Sequence, residues 1–364
     1  MSKIRVLIVD DAVVVRRIVS DVLSADPEIE VVGTAANGKL GLAKIELLKP
    51  DLVTMDIEMP EMDGLETLAA LRKINRRLPV IMFSTLTQRG AATTLEALTL
   101  GANDYVTKPA NVGSVAAAQQ SLRDQLVPKI KALVNRFRPG PLAAKLPVKP
   151  HAPLVMRPLS KVEIVAIGVS TGGPNALCEV LLKIPANFPV PIVIVQHMPP
   201  MFTRLLAERL DKQSLIGVHE AEIGTRLQAG HAYLAPGDFH MIVKRDGTDV
   251  VLALHQGPPE NSCRPAVDVL FRSVVEVYKA STLGVIMTGM GQDGLHGCEA
   301  IRAANGQILA QDEETSVVWG MPGFVARAGL ADNILPLGEI TAGITSRVMK
   351  GRMGATSNEL LTAN

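Results

Sequence analysis

The sequence predicts an α/β protein of two doubly wound parallel-sheet domains, the first five-stranded and the second carrying a small antiparallel insertion. Three observations point there. Short apolar runs alternate with stretches of helical length and spacing through residues 1–124, and the alternation resumes at Val162. Between the two, residues 138–160 hold six prolines, several basic residues and no acid. Alternating strands and helices build parallel sheets, because each parallel strand must be reached by a crossover. A proline-rich basic stretch reads as a semi-extended tether. The expected division is a domain over 1–124, a linker over 125–160, a second domain over 161–350 and a polar tail over 351–364.

In the first domain the candidate strands are Ile4–Val9, Glu30–Thr34, Leu52–Met55, Val80–Phe83 and Asp104–Val106. Each is a short apolar run bounded by polar or turn-forming residues. The stretches Val13–Leu23, Gly38–Leu48, Gly64–Arg72, Ala91–Leu100 and Ser114–Leu126 have helical spacing, and Lys129–Arg138 could prolong the last of them. In the second domain Glu163–Ile167, Pro191–Val195 and Gly284–Met287 read as buried parallel strands. His231–Leu234, Met241–Lys244 and Val250–Leu254, joined by turns, read as the antiparallel insertion.

Composition removes several classes. Lys plus Arg number 37 against 36 for Asp plus Glu, a net charge of +1, so no broad field favours nucleic acid or anionic lipid. No apolar run approaches the roughly 20 residues of a membrane span, and MSKIRVLIVDD meets two acids where a signal peptide would be apolar. Cys178, Cys263 and Cys298 are odd in number and lack metal-site spacing, which reads as reduced thiols rather than disulfides or zinc. A cytoplasmic protein, not inserted in a membrane, is expected.

Polar residues follow all but one of the first domain's strands. Asp10 and Asp11 follow the first, Asp56 the third, Ser84 the fourth and Lys108 the fifth. In an open parallel sheet these carboxyl ends share one edge, where ligands bind. Alone, a strand-end Asp is usually a turn former or helix cap. Three carboxylates gathered at one edge repel unless a cation joins them, and an all-oxygen set suits Mg²⁺. Lys108 adds a compact positive charge and Ser84 a hydroxyl, which together suit a phosphoryl group on a carboxylate. The segments VDD, MDIEMPEMDG, IMFS and YVTKP resemble the response-regulator receiver family across the whole first domain. The resemblance implies that Asp56 accepts phosphate from a histidine kinase and that Asp10 and Asp11, with Asp56, hold Mg²⁺. It also implies that Ser84 and Lys108 sense the phosphoryl group and that Tyr105 is a switch aromatic.

In the second domain, GVSTGGP (residues 168–174) lies between a strand and a helical stretch, Asn175–Lys183. A Gly-x-Ser-x-Gly turn in that setting leaves the Ser170 hydroxyl uncovered, as a nucleophile requires. A glycine-rich phosphate loop is the rival reading. His197 ends the apolar run PIVIVQH, the only histidine so placed, and is a candidate general base. Asp293 follows LGVIMTG in a glycine-flanked turn and is the candidate third member. Asp238 sits in a PGD turn away from this edge, and Asp268 in PAVDVLF reads as a helix surface or boundary residue. The chain order Ser, His, Asp is not that of the α/β-hydrolases, but triads are defined by roles and not by order. Backbone N–H groups near Thr171 and Met290 are candidates for an oxyanion hole.

With VQHMP, YLAPGDFHM, TGMGQDG and SVVWGMPG, these segments resemble the chemotaxis protein-glutamate methylesterases from about Val162 to Met349. The order of receiver, linker and esterase matches as well. The resemblance implies a phosphorylation-activated esterase, needing no cofactor of its own, that acts on glutamyl γ-methyl esters of chemoreceptors. Some members also deamidate glutamine. Ser170, His197 and Asp293 fall on the triad motifs, and Thr171 and Met290 on the site lining. Arg264 lies in a similar segment without an evident role. The alternative is a response regulator with a nucleotide-binding or DNA-binding output. No acid is placed for a ribose, and neither a helix-turn-helix nor a basic stripe is present.

Overall fold

The structure is a computed structural model that describes residues 3–108, 114–137, 160–350 and 352. Two compact units divide the chain, Met1–Leu142 and Ala143–Asn364.

The first unit runs β1 (Ile4–Val9), α1 (Val13–Ser24), β2 (Ile29–Ala35), α2 (Gly38–Leu48), β3 (Leu52–Asp56), α3 (Gly64–Ile74), β4 (Val80–Ser84), α4 (Gln88–Thr99), β5 (Asp104–Thr107) and α5 (Val115–Phe137). Its five parallel strands lie in the order β2-β1-β3-β4-β5. The central β3 and β4 are buried along their whole length, as helices on both faces require. Asp63 starts α3 with a reciprocal capping box to Glu66. The strand order reverses between β1 and β3, so the ends carrying Asp10, Asp11 and Asp56 flank the crevice.

Helix α5 runs well past Leu126 and through Pro128. An internal proline costs a helix about 3 kcal/mol. Leu126, Ile130, Leu133 and Val134 continue a fully buried apolar stripe across it, and Lys129 is tied to Asp104 at 3.0 Å and to the Tyr105 carbonyl at 2.8 Å. Burial of that stripe outweighs the break. Of the stretch expected as linker, residues 125–137 therefore belong to α5, and 138–159 lie outside the described residues. The expected tail also lies outside them, Arg352 excepted.

The second unit runs β6 (Ile164–Val169), α6 (Gly173–Leu181), β7 (Ile192–Gln196), α7 (Phe202–Gln213), β8 (Gly217–Glu220), β9 (His231–Leu234), β10 (His240–Asp246), β11 (Asp249–His255), α8 (Val267–Tyr278), β12 (Thr282–Ile286), α9 (Leu295–Ala303), β13 (Gln307–Gln311), α10 (Met321–Arg327), β14 (Asn333–Leu335) and α11 (Leu337–Lys350). Its main sheet has seven strands in the order β14-β13-β12-β6-β7-β9-β8. The antiparallel insertion is the hairpin β10–β11, which sends Met241, Val243 and Leu252 into a core shared with Leu270, Phe271 and Val274 of α8. His231–Leu234 is not part of that insertion. It pairs in parallel with β7 and β8 inside the main sheet. Its last three residues are buried, so its place between two strands is set by packing and not by the turn that follows it. Strand order reverses between β6 and β12, which opens a crevice at their carboxyl ends. Among the described residues, no helix is long and apolar enough to cross a membrane.

Candidate functional site

Ser170, His197 and Asp293 follow β6, β7 and β12, three neighbours at the centre of the second sheet. Register brings the first two level, because Val169 pairs with Gln196 and the His197 amide donates to the Val169 carbonyl at 3.3 Å. The Ser170 amide donates to the Thr288 carbonyl at 2.9 Å, which ties the serine turn to the segment leading to Asp293. That approach needs a residue without a side chain at 289: a Cβ on Gly289 would come within 2.9 Å of the Ser170 Cβ. Gly172 starts α6 at φ +77, a left-handed conformation that favours glycine.

His197 and Asp293 are bonded through Nε2 and Oδ2 at 2.8 Å. The carboxylate, 2 % exposed, takes three further donors. Oδ2 accepts the Val267 amide at 2.7 Å, and Oδ1 accepts the Asp268 amide and the Asn261 side chain, each at 3.0 Å. Two of these are the first amides of α8, where the helix's exposed N–H groups favour an anion. Burial would raise the Asp293 pKa, but the His197 bond and charge, with the two amides, outweigh it and leave the pKa below the usual value. Burial likewise works against a charged imidazole. The bond to Asp293 and the Cys263 thiol overcome it, raising the His197 pKa from 6.5 to about 10.

The orientation of the ring leaves Nδ1, and not Nε2, turned away from the carboxylate. Its partner is the Cys263 Sγ at 3.7 Å. No hydrogen bond joins the Ser170 hydroxyl to His197, and that hydroxyl finds no partner among the described residues. The Ser170 carbonyl is held by the Gln196 side chain at 3.0 Å and the Gly173 amide at 2.7 Å. The amides of Thr171 and Met290 donate to no acceptor among the described residues, although Thr171 is only 5 % exposed. Unpaired amides at a crevice are what an oxyanion hole needs.

Asp268 is not a surface residue. It is fully buried, accepts Asn261 through Oδ2 at 2.9 Å and Gly297 through Oδ1 at 2.6 Å, and carries a pKa raised by burial and by Asp293. It orients Asn261, which in turn holds Asp293. Asp238 stands apart from His197. It grips the guanidinium of Arg264, whose Nη1 also donates to the Gly257 carbonyl at 3.0 Å, so Arg264 braces this loop. Asn261, Cys263 and Asp268 are the residues that the sequence reading missed at this site.

In the first unit the carboxylates of Asp10, Asp11 and Asp56 lie within 4.8 Å of one another, and Lys108 Nζ stands 2.7 Å from Asp56 and 3.1 Å from Asp10. A cavity of about 200 Å³ is lined by Asp11, Asp56, Glu58, Thr85 and Lys108, among others. Burial and the Asp10 charge raise the Asp56 pKa to about 6, against the pull of Lys108. Ser84 does not reach this cavity. It is 1 % exposed, and its hydroxyl is bonded to Thr94 at 2.7 Å and to the Gly90 carbonyl at 3.1 Å. Tyr105 is buried, with Lys129 5.4 Å from its ring centre.

Known proteins match both units. A family model described as CheB methylesterase matches residues 165–344, and one described as response regulator receiver domain matches residues 6–120. A protein-glutamate methylesterase/protein-glutamine glutaminase from Trichodesmium erythraeum is 56% identical over 354 residues, covering 96% of this chain and 100% of that one. One of the same name from a Nocardioides species is 52% identical, covering 97% of each chain. The crystal structure of the Thermotoga maritima CheB methylesterase catalytic domain aligns with a TM-score of 0.50 at 44% identity, over 51% of this chain and 99% of that one. None of these matches supports a nucleotide-binding or DNA-binding output. With near-complete coverage at this identity, the chain belongs to the CheB methylesterase family, with a receiver domain ahead of its methylesterase domain.

Proposed function

We propose that this chain hydrolyses glutamyl γ-methyl esters on chemoreceptors, and acts on glutamine amides there as well, through Ser170, His197 and Asp293. The observation that carries the reading is the convergence of the three at neighbouring strand ends, with Nε2 of His197 bonded to Asp293 and Nδ1 free of the carboxylate. Ser170 attacks the ester carbonyl as Nδ1 takes its proton. Nε2–H stays with Asp293, which stabilises the imidazolium. The Thr171 and Met290 amides receive the oxyanion. Methanol leaves with the proton from Nδ1, and water then repeats the sequence on the glutamyl-enzyme. The test is methanol release from methylated receptor. A chain that binds the receptor and releases none would end the reading.

A general base acts only when neutral. With its pKa raised above 6.5, His197 is more protonated at neutral pH than a free imidazole. Esterase kcat/KM should therefore climb with pH well beyond 6.5, about tenfold per unit below the midpoint. A limb already flat by pH 7 would contradict the charge pairing.

Asp56 is the proposed phosphoacceptor, with a histidine kinase as donor. The all-oxygen set of Asp10, Asp11 and Asp56 fits Mg²⁺. Bound there, the ion would neutralise charge on the transferring phosphoryl group. Lys108 already bridges Asp10 and Asp56 and would pair with the phosphoryl oxygens. For Ser84 to join them, its hydroxyl must leave Thr94 and Gly90, and a change in the packing of Tyr105 would carry the signal on. Phosphodonor should raise methanol release by the full chain. Asp56→Asn should remove that response and keep the basal rate. A chain starting near Ser160 should need no phosphodonor. If it is no faster than the unphosphorylated full chain, the receiver does not inhibit.

A further inference from the structure

The turn that steadies Asp293 also carries a thiol to the base. Glu260 and Cys263 exchange backbone hydrogen bonds of 3.1 and 2.9 Å, and Asn261 and Ser262 between them both hold positive φ. Glu260 is forked onto Arg272, and Arg264 onto Asp238, so the turn is gripped on both flanks. Asn261 reaches Asp293 and Asp268 from it. From this braced frame the Cys263 Sγ meets His197 Nδ1 at 3.7 Å, at the nitrogen that must receive the Ser170 proton.

The chain's three cysteines are chemically distinct. Cys298 is buried and Cys178 half-buried, and burial raises the pKa of both thiols. Cys178 meets Gln213 Oε1 at 3.6 Å, with the opposed charges of Arg209 and Glu179 nearby, and no proton acceptor of the imidazole kind. Cys263 is half-buried like Cys178 but, of the three, alone has an imidazole within reach of its proton. A thiol beside a carboxylate-held imidazole is the arrangement that makes cysteine nucleophilic.

We propose that Cys263 is a modification site at which hydroperoxides switch the esterase off. The step balances without further reactants. His197 Nδ1 accepts the thiol proton, and the Cys263 sulfur attacks the peroxide. The O–O bond breaks as an S–O bond forms, the sulfur is oxidised by two electrons, and the departing hydroxide takes the proton from Nδ1 as water. The product, a sulfenic acid, places an oxygen beside Nδ1, where it competes with the Ser170 hydroxyl for the base. Inhibition by this route rests on the triad proposed above, whereas the reactivity of the thiol does not.

Full-length protein treated with hydrogen peroxide and a sulfenic-acid-trapping cyclic dione should carry the adduct on Cys263 before Cys178 or Cys298, as read by peptide mass spectrometry. Without the trap, methanol release should fall in step with oxidation and return with dithiothreitol. Cys263→Ala should keep its own untreated rate after peroxide. His197→Gln should slow the labelling of Cys263 at least tenfold while leaving that of Cys178 unchanged, a readout that needs no esterase activity. Ser170→Ala should label Cys263 at the normal rate, so loss of the esterase reading is told apart from loss of this one. First labelling at Cys178, full Cys263 oxidation with activity retained, or peroxide inactivation of Cys263→Ala at the wild-type rate would each overturn the proposal.

Discussion

Ser170→Ala should bring methanol release to background, a fall in kcat on the order of 10⁶ by the precedent of serine hydrolases that lose their nucleophile. The same change should leave the fold intact. The hydroxyl has no partner among the described residues, so its removal strands no donor or acceptor. The contacts that shape the turn are made by backbone: the Ser170 amide to Thr288, and its carbonyl to Gln196 and Gly173. A substitution of this kind shifts stability by about 0.5 kcal/mol or less. Thermal unfolding and phosphorylation at Asp56 should therefore match the parent while turnover is lost. Near-normal methanol release from Ser170→Ala would remove it from the nucleophile's role, and the crevice would need another attacking group.

The residues that the sequence disclosed and those it hid differ in where they lie. Ser170, His197 and Asp293 each end or follow an apolar run, and a run buried on both faces is the strongest strand signal a sequence carries. The first unit was legible for the same reason. The expected strands Ile4–Val9, Leu52–Met55 and Val80–Phe83 agree with β1, β3 and β4 to within a residue. In the second unit β8, β13 and β14 were missed. They are five residues or fewer, β8 is only partly buried and β14 is mostly exposed, so neither length nor alternation marks them. Asn261, Cys263 and Asp268 were hidden for a different reason. They belong to the loop and first turn that lead into α8, and only the fold reveals that this turn closes over Asp293. Ser84 shows the limit of strand-end reasoning. It ends β4, but its hydroxyl is turned to Thr94 and the Gly90 carbonyl of α4, and it does not line the acidic cavity.

Asp293→Asn should lower kcat by about 10⁴, the scale set when the same change is made in a serine protease triad. The reason lies in how the four donors divide. Oδ2 accepts His197 Nε2 and the Val267 amide, while Oδ1 accepts Asn261 and the Asp268 amide. A carboxylate serves both pairs, but a carboxamide has one oxygen and must turn its NH₂ toward the other. If the NH₂ faces His197, Nε2 becomes the acceptor, the proton moves to Nδ1, and the base needed by Ser170 is gone. If it faces the opposite side, it meets the Asp268 amide and the Asn261 NH₂. Asn261 cannot flip to accept without giving up its bond to Asp268 Oδ2. Either orientation strands buried donors, so a stability loss of about 1–3 kcal/mol should accompany the fall in rate. The variant also lacks the charge that raises the His197 pKa, so the acid limb of any residual activity should move to lower pH. Asp238→Asn is the comparison. That carboxylate braces Arg264 and Gln256 and has no bond to His197, so its loss should be far milder. A harmful Asp238→Asn beside a harmless Asp293→Asn would transfer the third role to Asp238.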